Sequence, residues 1–499
     1  MNWTGKYFTL EEMTASPTAR RLGIDNTPTP DAVIALHNLV KEVLDPLREA
    51  WGAPIVVTSG YRCPKLNSCV GGVRMSQHCF DDKTEVLTES GWKKYTEISK
   101  DDNVYSYNVG KDSIELTPID SIIIREHSGK MMHIKSTCID LMVTDKHRML
   151  VRYARHKYKR KGVNNITPEG QAYFDSLKTD NDKYHFELAE DVFGKRRIYK
   201  CASVYDGEDS TDLDLLKFCM AFVCDGFWSR KDKSIAMGFR FKKERKITYL
   251  QKLANALGWT YAMHVDKYGI SNFYFKSKYA KIVFDIVGKG KILPNYLVGL
   301  SVYDKKSLLE CYTEFDGHVD ERDDNQRTSI CTVIKRNADV LQAMAVTSGI
   351  KCSVRMKDAH EYEIRGKKGI GQPSYILATC QKDETQANEE RYEWVDYDGI
   401  VWCVNNRNTT LITRRNGDVS IQGNCLGQAA DIRTLSDRPS DNRKLRDLLI
   451  EIALPFDQLI DEFGCDWLHV SYREGRNRKE RITAYRKNKK TLYEPGFKK

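Results

Sequence analysis

A possible pair of metal ligands is separated in this sequence by a long insertion. Residues 76–78 read Ser-Gln-His, and residues 425–431 read Cys-Leu-Gly-Gln-Ala-Ala-Asp. When residues 79–424 are left out, His78 stands seven positions before Asp431. An imidazole and a carboxylate are both groups that bind zinc. The sequence therefore predicts an interrupted metal site.

The interruption has reactive ends. It begins with Cys79, ends with Asn424 and is followed by Cys425. Two thiols and an asparagine at these places are the residue types that a peptide-bond rearrangement through thioesters requires. A nearby histidine must protonate the amide nitrogen of the first junction, and the sequence from Thr144 to His147 supplies one. We predict these five residues as a self-cleaving site.

Length and composition are those of a soluble chain with several domains. The 499 residues are too many for one core and predict about three domains, with 346 residues in the insertion and 153 in the host. The 14 cysteines form no CxxC pair, and the N-terminus does not resemble a secretory signal, so we expect free thiols and synthesis in the cytoplasm. No apolar run approaches the ~18 residues of a membrane segment.

The net charge of +10 is diffuse and permits contact with nucleic acid without requiring it. Only residues 473–499 form a concentrated basic tail. Two interpretations of this tail stay open, a solvated end or an anchor to an anionic polymer such as cell wall or nucleic acid.

Hydrophobic periodicity changes where the insertion begins. Apolar spacing predicts a helix over residues 30–51 and a strand over residues 55–59. From residue 79 onwards, short β-like segments between turn residues predict a compact all-β module. Such strands return over residues 399–424, around a hairpin signal at Asn416-Gly417, and the segments between them mix helix and strand.

The expected fold is therefore multidomain, with an all-β module split by an α/β domain and the whole inserted in an α+β host. The predicted boundaries are 1–78 and 425–499 for the host, 79–200 and 396–424 for the all-β module, and 201–395 for the inner domain.

The insertion resembles the Hint-fold inteins over its whole length. The matching segments are Cys79-Phe80-Asp81-Asp82-Lys83-Thr84-Glu85-Val86-Leu87, Thr144-x-x-His147, Val401-Trp402-Cys403-Val404 and Gly423-Asn424. The resemblance implies a Hint domain that excises itself and ligates His78 to Cys425.

Two positions differ from the usual intein pattern. Many inteins have a histidine before the terminal asparagine and an aspartate in the late strand, where this chain has Gly423 and Cys403. Cyclisation of Asn424 should therefore depend on other groups.

Two apolar segments inside the insertion, residues 218–226 and 309–317, each end in Asp-Gly. They resemble the paired LAGLIDADG helices of homing endonucleases. The resemblance implies that Asp225 and Asp316 meet, bind Mg²⁺ and cleave double-stranded DNA. Small residues would let the two helices cross closely, namely Cys219, Ala221, Cys311 and Thr313. The basic, strand-like run over residues 239–246 is either a DNA contact or a solvated face.

With the insertion removed, the host resembles the M15 zinc peptidases, a group that contains D-Ala-D-Ala carboxypeptidases and phage endolysins. The matching residues are Thr58-Ser59-Gly60-Tyr61-Arg62, Asn67, Gly71-Gly72, Ser76-Gln77-His78, Gly427-x-Ala429-Ala430-Asp431 and Asp466-Trp467-Leu468-His469.

This second resemblance implies a catalytic zinc site. His78, Asp431 and His469 would hold zinc and leave a position for water, with Asp466 as the general base and Arg62 steadying an oxyanion or a substrate carboxylate. Because Asp466 and His469 would face opposite sides of a regular strand, Asp466 must lie in the turn begun by Gly464. The partner would be a peptidoglycan peptide, with the scissile bond, D-Ala-D-Ala or L-Ala-D-Glu, left open.

The leading hypothesis is a self-splicing precursor of a peptidoglycan peptidase, with a DNA endonuclease inside the intein. We expect it to be phage-encoded and the peptidase to act at the cell wall after release. One alternative is a non-hydrolytic, zinc-binding wall module. Another is a splicing-defective precursor that persists as a DNA endonuclease.

Overall fold

A computed structural model describes residues 3–28, 30–69, 79–154, 183–231, 234–320, 327–359, 361–364, 367–424, 429–472, 477, 479–487 and 490–497. Two predicted site residues, His78 and Cys425, lie outside the described residues, as do the motif residues Gly71, Gly72, Ser76, Gln77 and Gly427. The chain forms two compact units, which we call the host unit (Met1–Met75 with Cys425–Lys499) and the insertion unit (Ser76–Asn424).

The first piece of the host unit is mainly helical. Its elements are α1 (Leu10–Thr14), α2 (Pro17–Leu22), α3 (Pro30–Leu39), a π-helical turn (Val40–Leu44), α4 (Asp45–Trp51), β1 (Ile55–Ser59) and α5 (Pro64–Cys69). The helix predicted over residues 30–51 is present but widens at the π turn, where the Asp45 amide bonds to the Val40 carbonyl. Pro46 explains the widening, because it has no N–H to donate to the preceding turn.

The insertion unit begins with strands. They are β2 (Phe80–Asp81), β3 (Glu85–Thr88), β4 (Gly91–Lys93), β5 (Asn103–Asn108), β6 (Ser113–Pro118), β7 (Ser121–Lys135), β8 (Asp140–Thr144), β9 (Arg148–Tyr153) and β10 (His185–Leu188), followed by α6 (Ala189–Val192) and β11 (Arg197–Lys200).

Its middle part repeats one topology. The first copy is α7 (Leu213–Asp225), β12 (Gly226–Lys231), β13 (Ser234–Phe241), α8 (Glu244–Ala256), β14 (Tyr261–Val265), β15 (Ser271–Phe275) and α9 (Ser277–Val287). After a 3₁₀ turn (Asn295–Gly299), the second copy is α10 (Val302–Asp316), β16 (Gly317–Val319), β17 (Thr328–Thr332), α11 (Lys335–Val346), β18 (Lys351–Lys357), the hairpin β19 (Glu361–Ile364) and β20 (Lys367–Ile370), and β21 (Ser374–Cys380).

The insertion unit closes with β22 (Glu384–Ala387), a 3₁₀ turn (Glu389–Arg391), β23 (Tyr392–Asn405), β24 (Thr410–Arg415) and β25 (Asp418–Gly423). The host unit then resumes with β26 (Ala429–Thr434), α12 (Pro439–Glu451), β27 (Gln458–Glu462), β28 (Trp467–Ser471), β29 (Glu480–Lys487) and β30 (Lys490–Pro495).

Strand pairing joins distant parts of the sequence. The host sheet has the order β1-β26-β28-β27-β29-β30, and its core includes Leu36, Leu47, Leu445, Leu449 and Leu468. In the insertion unit, β2-β23-β7-β8 close a barrel, β25-β24-β3-β5-β6 form a sheet with β4 beside β3, and β10-β9-β11-β22 form another. The two copies each form a four-stranded sheet in the same order, β12-β13-β15-β14 and β16-β17-β21-β18.

One sequence-based expectation was wrong. The basic run over residues 239–246 is not a single strand, because β13 ends at Phe241 and α8 begins at Glu244. Apolar residues at helical spacing, Ile247, Leu250 and Leu253, are buried and stabilise the helix instead. Within the described residues, no helix is long and apolar enough to span a membrane.

Candidate functional sites

The first junction of the insertion lies in the barrel. Cys79 is fully buried, and its backbone amide donates to Thr144 Oγ1 at 3.0 Å, while the Thr144 amide donates to the Cys79 carbonyl at 3.0 Å. His147 is also fully buried, and its ring packs 4.6 Å from that of Phe80. The structure thus brings three predicted site residues together at the end of β8.

The second junction ends at Asn424, directly after β25. Its side chain is fully buried, and Nδ2 donates to the Val404 carbonyl at 3.0 Å. Its backbone amide donates to the Thr409 carbonyl at 2.8 Å. Because Val404 lies on β23, two residues after the partner of Phe80, the same strand holds both junctions.

Arg148 is a functional candidate that the sequence reasoning missed. It is the first residue of β9, directly after His147, and its Nη1 donates to the Asn424 carbonyl oxygen at 3.0 Å. The short segment from Thr144 to Arg148 therefore contacts both ends of the insertion. Its position next to the Thr-x-x-His motif was the available signal.

A buried ionic cluster connects strands of the barrel with the neighbouring sheet. Arg415 donates to Asp81 Oδ2 at 2.9 Å and also pairs with Asp140. His133 Nε2 lies 3.1 Å from Asp140 Oδ1, and this hydrogen bond raises the pKa of His133, although burial opposes it. The cluster connects β2, β7, β8 and β24, so it fixes the strand that ends at Thr144.

Residues in the second copy of the repeated topology contact the turn between β24 and β25. The Gly417 carbonyl accepts from the Val354 amide and from Gln342 Nε2, both at 2.9 Å. A Cβ at Gly417 would overlap the Val354 carbonyl, so this approach requires glycine. Arg355 donates to both oxygens of the buried Asp418 carboxylate at 2.8 and 2.7 Å.

We expect Arg355→Ala to slow processing at both junctions, with the larger effect at Asn424, because that residue ends the hairpin. The change leaves the buried Asp418 carboxylate without its cation, at a cost of about 1–3 kcal/mol. The measurement is the rate of fragment release. Arg391→Ala, which removes an exposed arginine, is the matched control. Equal rates for the two variants would contradict a role for the contact.

Asp225 is the last residue of α7, and Asp316 is the last residue of α10. One lysine side chain lies between their two carboxylates. Lys246 Nζ lies 2.5 Å from Asp225 Oδ2 and 3.7 Å from Asp316 Oδ1. Burial, and then the charge of Asp225, raise the pKa of Asp316. The two carboxylates are close enough to share one cation, and this donor set fits a divalent ion.

The helices that carry the two aspartates cross closely through small residues. Cys311 Sγ approaches the Lys217 carbonyl on the other helix at 3.3 Å. A second lysine, Lys291, donates to the Gly226 carbonyl at 2.9 Å beside Asp225, and burial lowers its pKa. Sequence reasoning placed Lys246 on a strand-like run and did not single out Lys291. Neither lysine adjoins Asp225 or Asp316 in sequence, so no local signal connected them to the two aspartates.

In the host unit, two predicted zinc ligands are paired neighbours on β26 and β28. His469 Nδ1 lies 2.8 Å from Asp431 Oδ1, and Arg62 Nη2 lies 3.2 Å from Asp431 Oδ2. An imidazole nitrogen and a carboxylate oxygen on one sheet face fit two ligands of a zinc site. Within the described residues no three such side chains form a metal site, and the third predicted ligand, His78, lies outside them.

Asp466 lies in the turn before β28, as the strand periodicity requires, and is exposed. Glu462, which the sequence reasoning did not single out, lies at the end of β27. Burial raises the pKa of Glu462, and the charge of Asp431 adds to this while His469 opposes it. The site therefore contains a third carboxylate, beside Asp431 and Asp466, whose charged form is disfavoured by burial.

Comparison with known proteins gives matches to different parts of the chain. Residues 6–98 match the family Peptidase M15. Ribonucleoside-diphosphate reductase subunit beta of Aquifex aeolicus (strain VF5) is 23% identical over 376 residues, 71% of this chain and 51% of that protein. The chain therefore spans about half the length of this curated relative.

Solved structures give only distant likenesses. A splice-inactive variant of the AceL NrdHF class 3 split intein has 8% identity and a TM-score of 0.23, covering 70% of this chain and 99% of that chain. I-DmoI in complex with DNA and Mn has 13% identity and a TM-score of 0.23, covering 34% and 89%. The N-terminal LAGLIDADG domain of DUF199/WhiA has 11% identity and a TM-score of 0.21, covering 34% and 76%.

Proposed function

We propose that this chain is a precursor that excises residues 79–424 and joins His78 to Cys425. The main support for the proposal is that one short segment contacts both ends of the insertion. Thr144 accepts a hydrogen bond from the Cys79 amide, and Arg148 donates one to the Asn424 carbonyl. Cleavage at two distant peptide bonds followed by ligation requires both to lie in one site.

In the proposed chemistry, each bond that breaks at the His78 carbonyl carbon is replaced by a new one, first a thioester and finally an amide. Cys79 Sγ attacks the His78 carbonyl carbon, the C–N bond breaks, and the nitrogen takes a proton, for which His147 is the donor. The acyl group passes to the Cys425 thiol. Asn424 then cyclises and frees the Cys425 amine, which attacks the thioester to restore an amide.

The reductase match supports a mobile insertion. An alignment over 71% of the chain cannot fit within the 153 host residues, so it includes more than half of residues 79–424. A shared insertion in otherwise unlike hosts explains a match between a peptidase-like chain and a reductase subunit.

For the inner domain we propose cleavage of double-stranded DNA. Asp225 and Asp316 would hold Mg²⁺, which supplies an activated water and stabilises the leaving oxygen when bound. Lys246 would neutralise the two carboxylates in the resting protein and contact a phosphate when DNA enters. Two sheets of the same topology, one from each copy, provide matched surfaces for the duplex.

For the joined host we propose hydrolysis of a peptidoglycan peptide, at D-Ala-D-Ala or L-Ala-D-Glu. Asp431 and His469, with His78, would hold zinc, which supplies a polarised water when bound. Asp466 would take the proton from that water, and Arg62 would bind the substrate carboxylate or oxyanion. We place synthesis in the cytoplasm and the action of a phage-encoded product at the cell wall.

We expect the joined host to lose more than about 10³-fold of its wall-hydrolysing activity in His469→Ala, because two ligands cannot hold catalytic zinc. Zinc content and hydrolysis of purified peptidoglycan are measured together. Asp466→Asn should keep zinc and lose hydrolysis. Zinc binding without hydrolysis in the unaltered host would favour the non-hydrolytic wall module.

The experiment that tests splicing is expression of the full chain followed by mass analysis. Splicing yields a host of about 18 kDa and an insertion of about 40 kDa, by their shares of the 57.5 kDa chain. A stable full-length species that cleaves DNA would instead favour the splicing-defective endonuclease.

A further inference from the structure

We infer that the host sheet carries a sugar-binding subsite beside its metal residues, an inference that rests on the proposed hydrolysis of peptidoglycan. The subsite consists of Phe463, Trp467 and Arg486, which we call the aromatic shelf. Trp467 lies two residues before His469 on β28, so the two side chains share one face of the sheet, about 7 Å apart. Because Asp431 is the strand partner of His469, the shelf is continuous with the metal residues.

The three side chains of the shelf contact one another. The centres of the Phe463 and Trp467 rings lie 5.3 Å apart, with the ring planes inclined at 64°. The Arg486 guanidinium lies 4.7 Å from the centre of the Phe463 ring. Both rings are half-buried, whereas Arg486 is exposed, so its N–H groups are accessible to a ligand. Apolar rings beside a guanidinium suit a ligand that has an apolar face and a polar edge.

The turn that presents Phe463 is strained and firmly held. Phe463 and Cys465 have positive φ angles of 52° and 67°, a conformation that costs a residue with a side chain about 1–2 kcal/mol. The Phe463 amide donates to the Ala484 carbonyl at 2.9 Å, and the Cys465 amide donates to Asp461 Oδ1 at 2.6 Å. Backbone strain of this kind is concentrated at ligand sites, and here it places the Phe463 ring on the shelf.

A sugar ring of the glycan strand has the chemistry that the shelf would recognise. A pyranose chair has a face of C–H bonds, which packs on an aromatic ring, and its hydroxyl and acetamido oxygens accept hydrogen bonds from a guanidinium. In peptidoglycan this sugar is joined through a lactyl group to the first residue of the stem peptide. One substrate therefore supplies both the peptide at the metal residues and the sugar at the shelf.

The position of the shelf favours one scissile bond. Arg62, which follows β1, contacts Asp431 on one side of the metal residues, and the shelf lies beyond His469 on the other. The sugar precedes the L-Ala-D-Glu bond by one residue and the lactyl group, about 7 Å, and the D-Ala-D-Ala bond by four residues and that group, about 17 Å. The spacing of about 7 Å between His469 and Trp467 therefore matches the L-Ala-D-Glu bond.

The test compares a stem peptide that carries its N-acetylmuramic acid with the same peptide without the sugar. The protein is purified with zinc after expression of the full chain, and KM and kcat are measured on both substrates. We expect Phe463→Ala and Arg486→Ala each to raise KM for the muramoyl peptide about tenfold, with kcat within about twofold. KM for the free peptide should stay the same. Arg486→Ala alters only an exposed side chain, so it tests the shelf without altering the turn.

Tyr7→Ala is the matched control, because Arg48 lies 5.3 Å from the centre of the Tyr7 ring in the helical part of the host unit. Zinc content shows whether each variant keeps its metal site. Unchanged KM for the muramoyl peptide in Arg486→Ala would overturn the inference, as would an equal rise for both substrates. Release of D-Ala, without new amino termini on D-Glu, would overturn the assignment of the bond.

A binding measurement separates the shelf from the peptidase activity. If the unaltered protein hydrolysed neither substrate, the proposed peptidase function would be refuted. Calorimetry with N-acetylmuramoyl-L-Ala-D-Glu as the probe would then still test the shelf. We expect Arg486→Ala to weaken binding of this probe about tenfold and Tyr7→Ala to leave it unchanged, and equal affinities for both variants would overturn the inference.

Discussion

A full-length chain with both Cys79→Ala and Asn424→Ala is expected to remain a single species of 57.5 kDa. Each substitution removes the group that attacks the peptide bond at its junction in the proposed mechanism, the buried thiol at one end and the buried amide at the other. The unaltered chain should yield fragments of about 18 and 40 kDa. The measurement is mass spectrometry of the purified protein after prolonged incubation.

The single variants and a thiol control show which junction each residue serves. Cys79→Ala alone should still release the C-terminal host piece slowly, and Asn424→Ala alone should be cleaved after His78 by added thiol. Cys138→Ala, which removes a partly buried thiol away from both junctions, should process normally. Fragments of about 18 and 40 kDa from the double variant would show that the junctions have been misplaced.

Asp225→Asn or Asp316→Asn is expected to reduce DNA cleavage about 10³-fold or more while splicing stays within about twofold. Each asparagine keeps the shape of the side chain but loses a charge that a divalent ion needs, and two-metal or shared-metal sites depend on both carboxylates. Splicing should persist because the residues proposed to carry it out lie in the barrel and directly after the β24–β25 hairpin. Removal of divalent ions by a chelator should have the same selective effect.

The assay uses the purified insertion or the full chain with DNA carrying the uninterrupted host coding sequence. Asp285→Asn, an exposed aspartate of α9, is the control for a simple change of charge. If a soluble Asp225→Asn protein lost splicing as strongly as DNA cleavage, the helices α7 and α10 would belong to the splicing site. Cleavage that persists without divalent ions would contradict the proposed magnesium chemistry.

Local patterns predicted many elements because the responsible interactions lie within a few residues. The strand over residues 55–59, the Asn416-Gly417 turn and the ends of α7 and α10 at Asp-Gly agree with the structure. The helical part of the basic run after Phe241 was missed, since burial of one face of α8 decided it. The turn position of Asp466 followed from strand periodicity alone.

The sequence by itself predicted where the insertion begins and ends and which nucleophiles stand there, since these predictions follow from residue type and order. It also supplied two aspartates at matched places in two similar helices. Only the tertiary structure decided that Arg148 contacts the Asn424 carbonyl, that Lys246 lies between Asp225 and Asp316, and that Arg355 holds the turn before Asn424. These contacts join residues on separate strands and helices, and their geometry depends on how those elements pack, which no local spacing encodes.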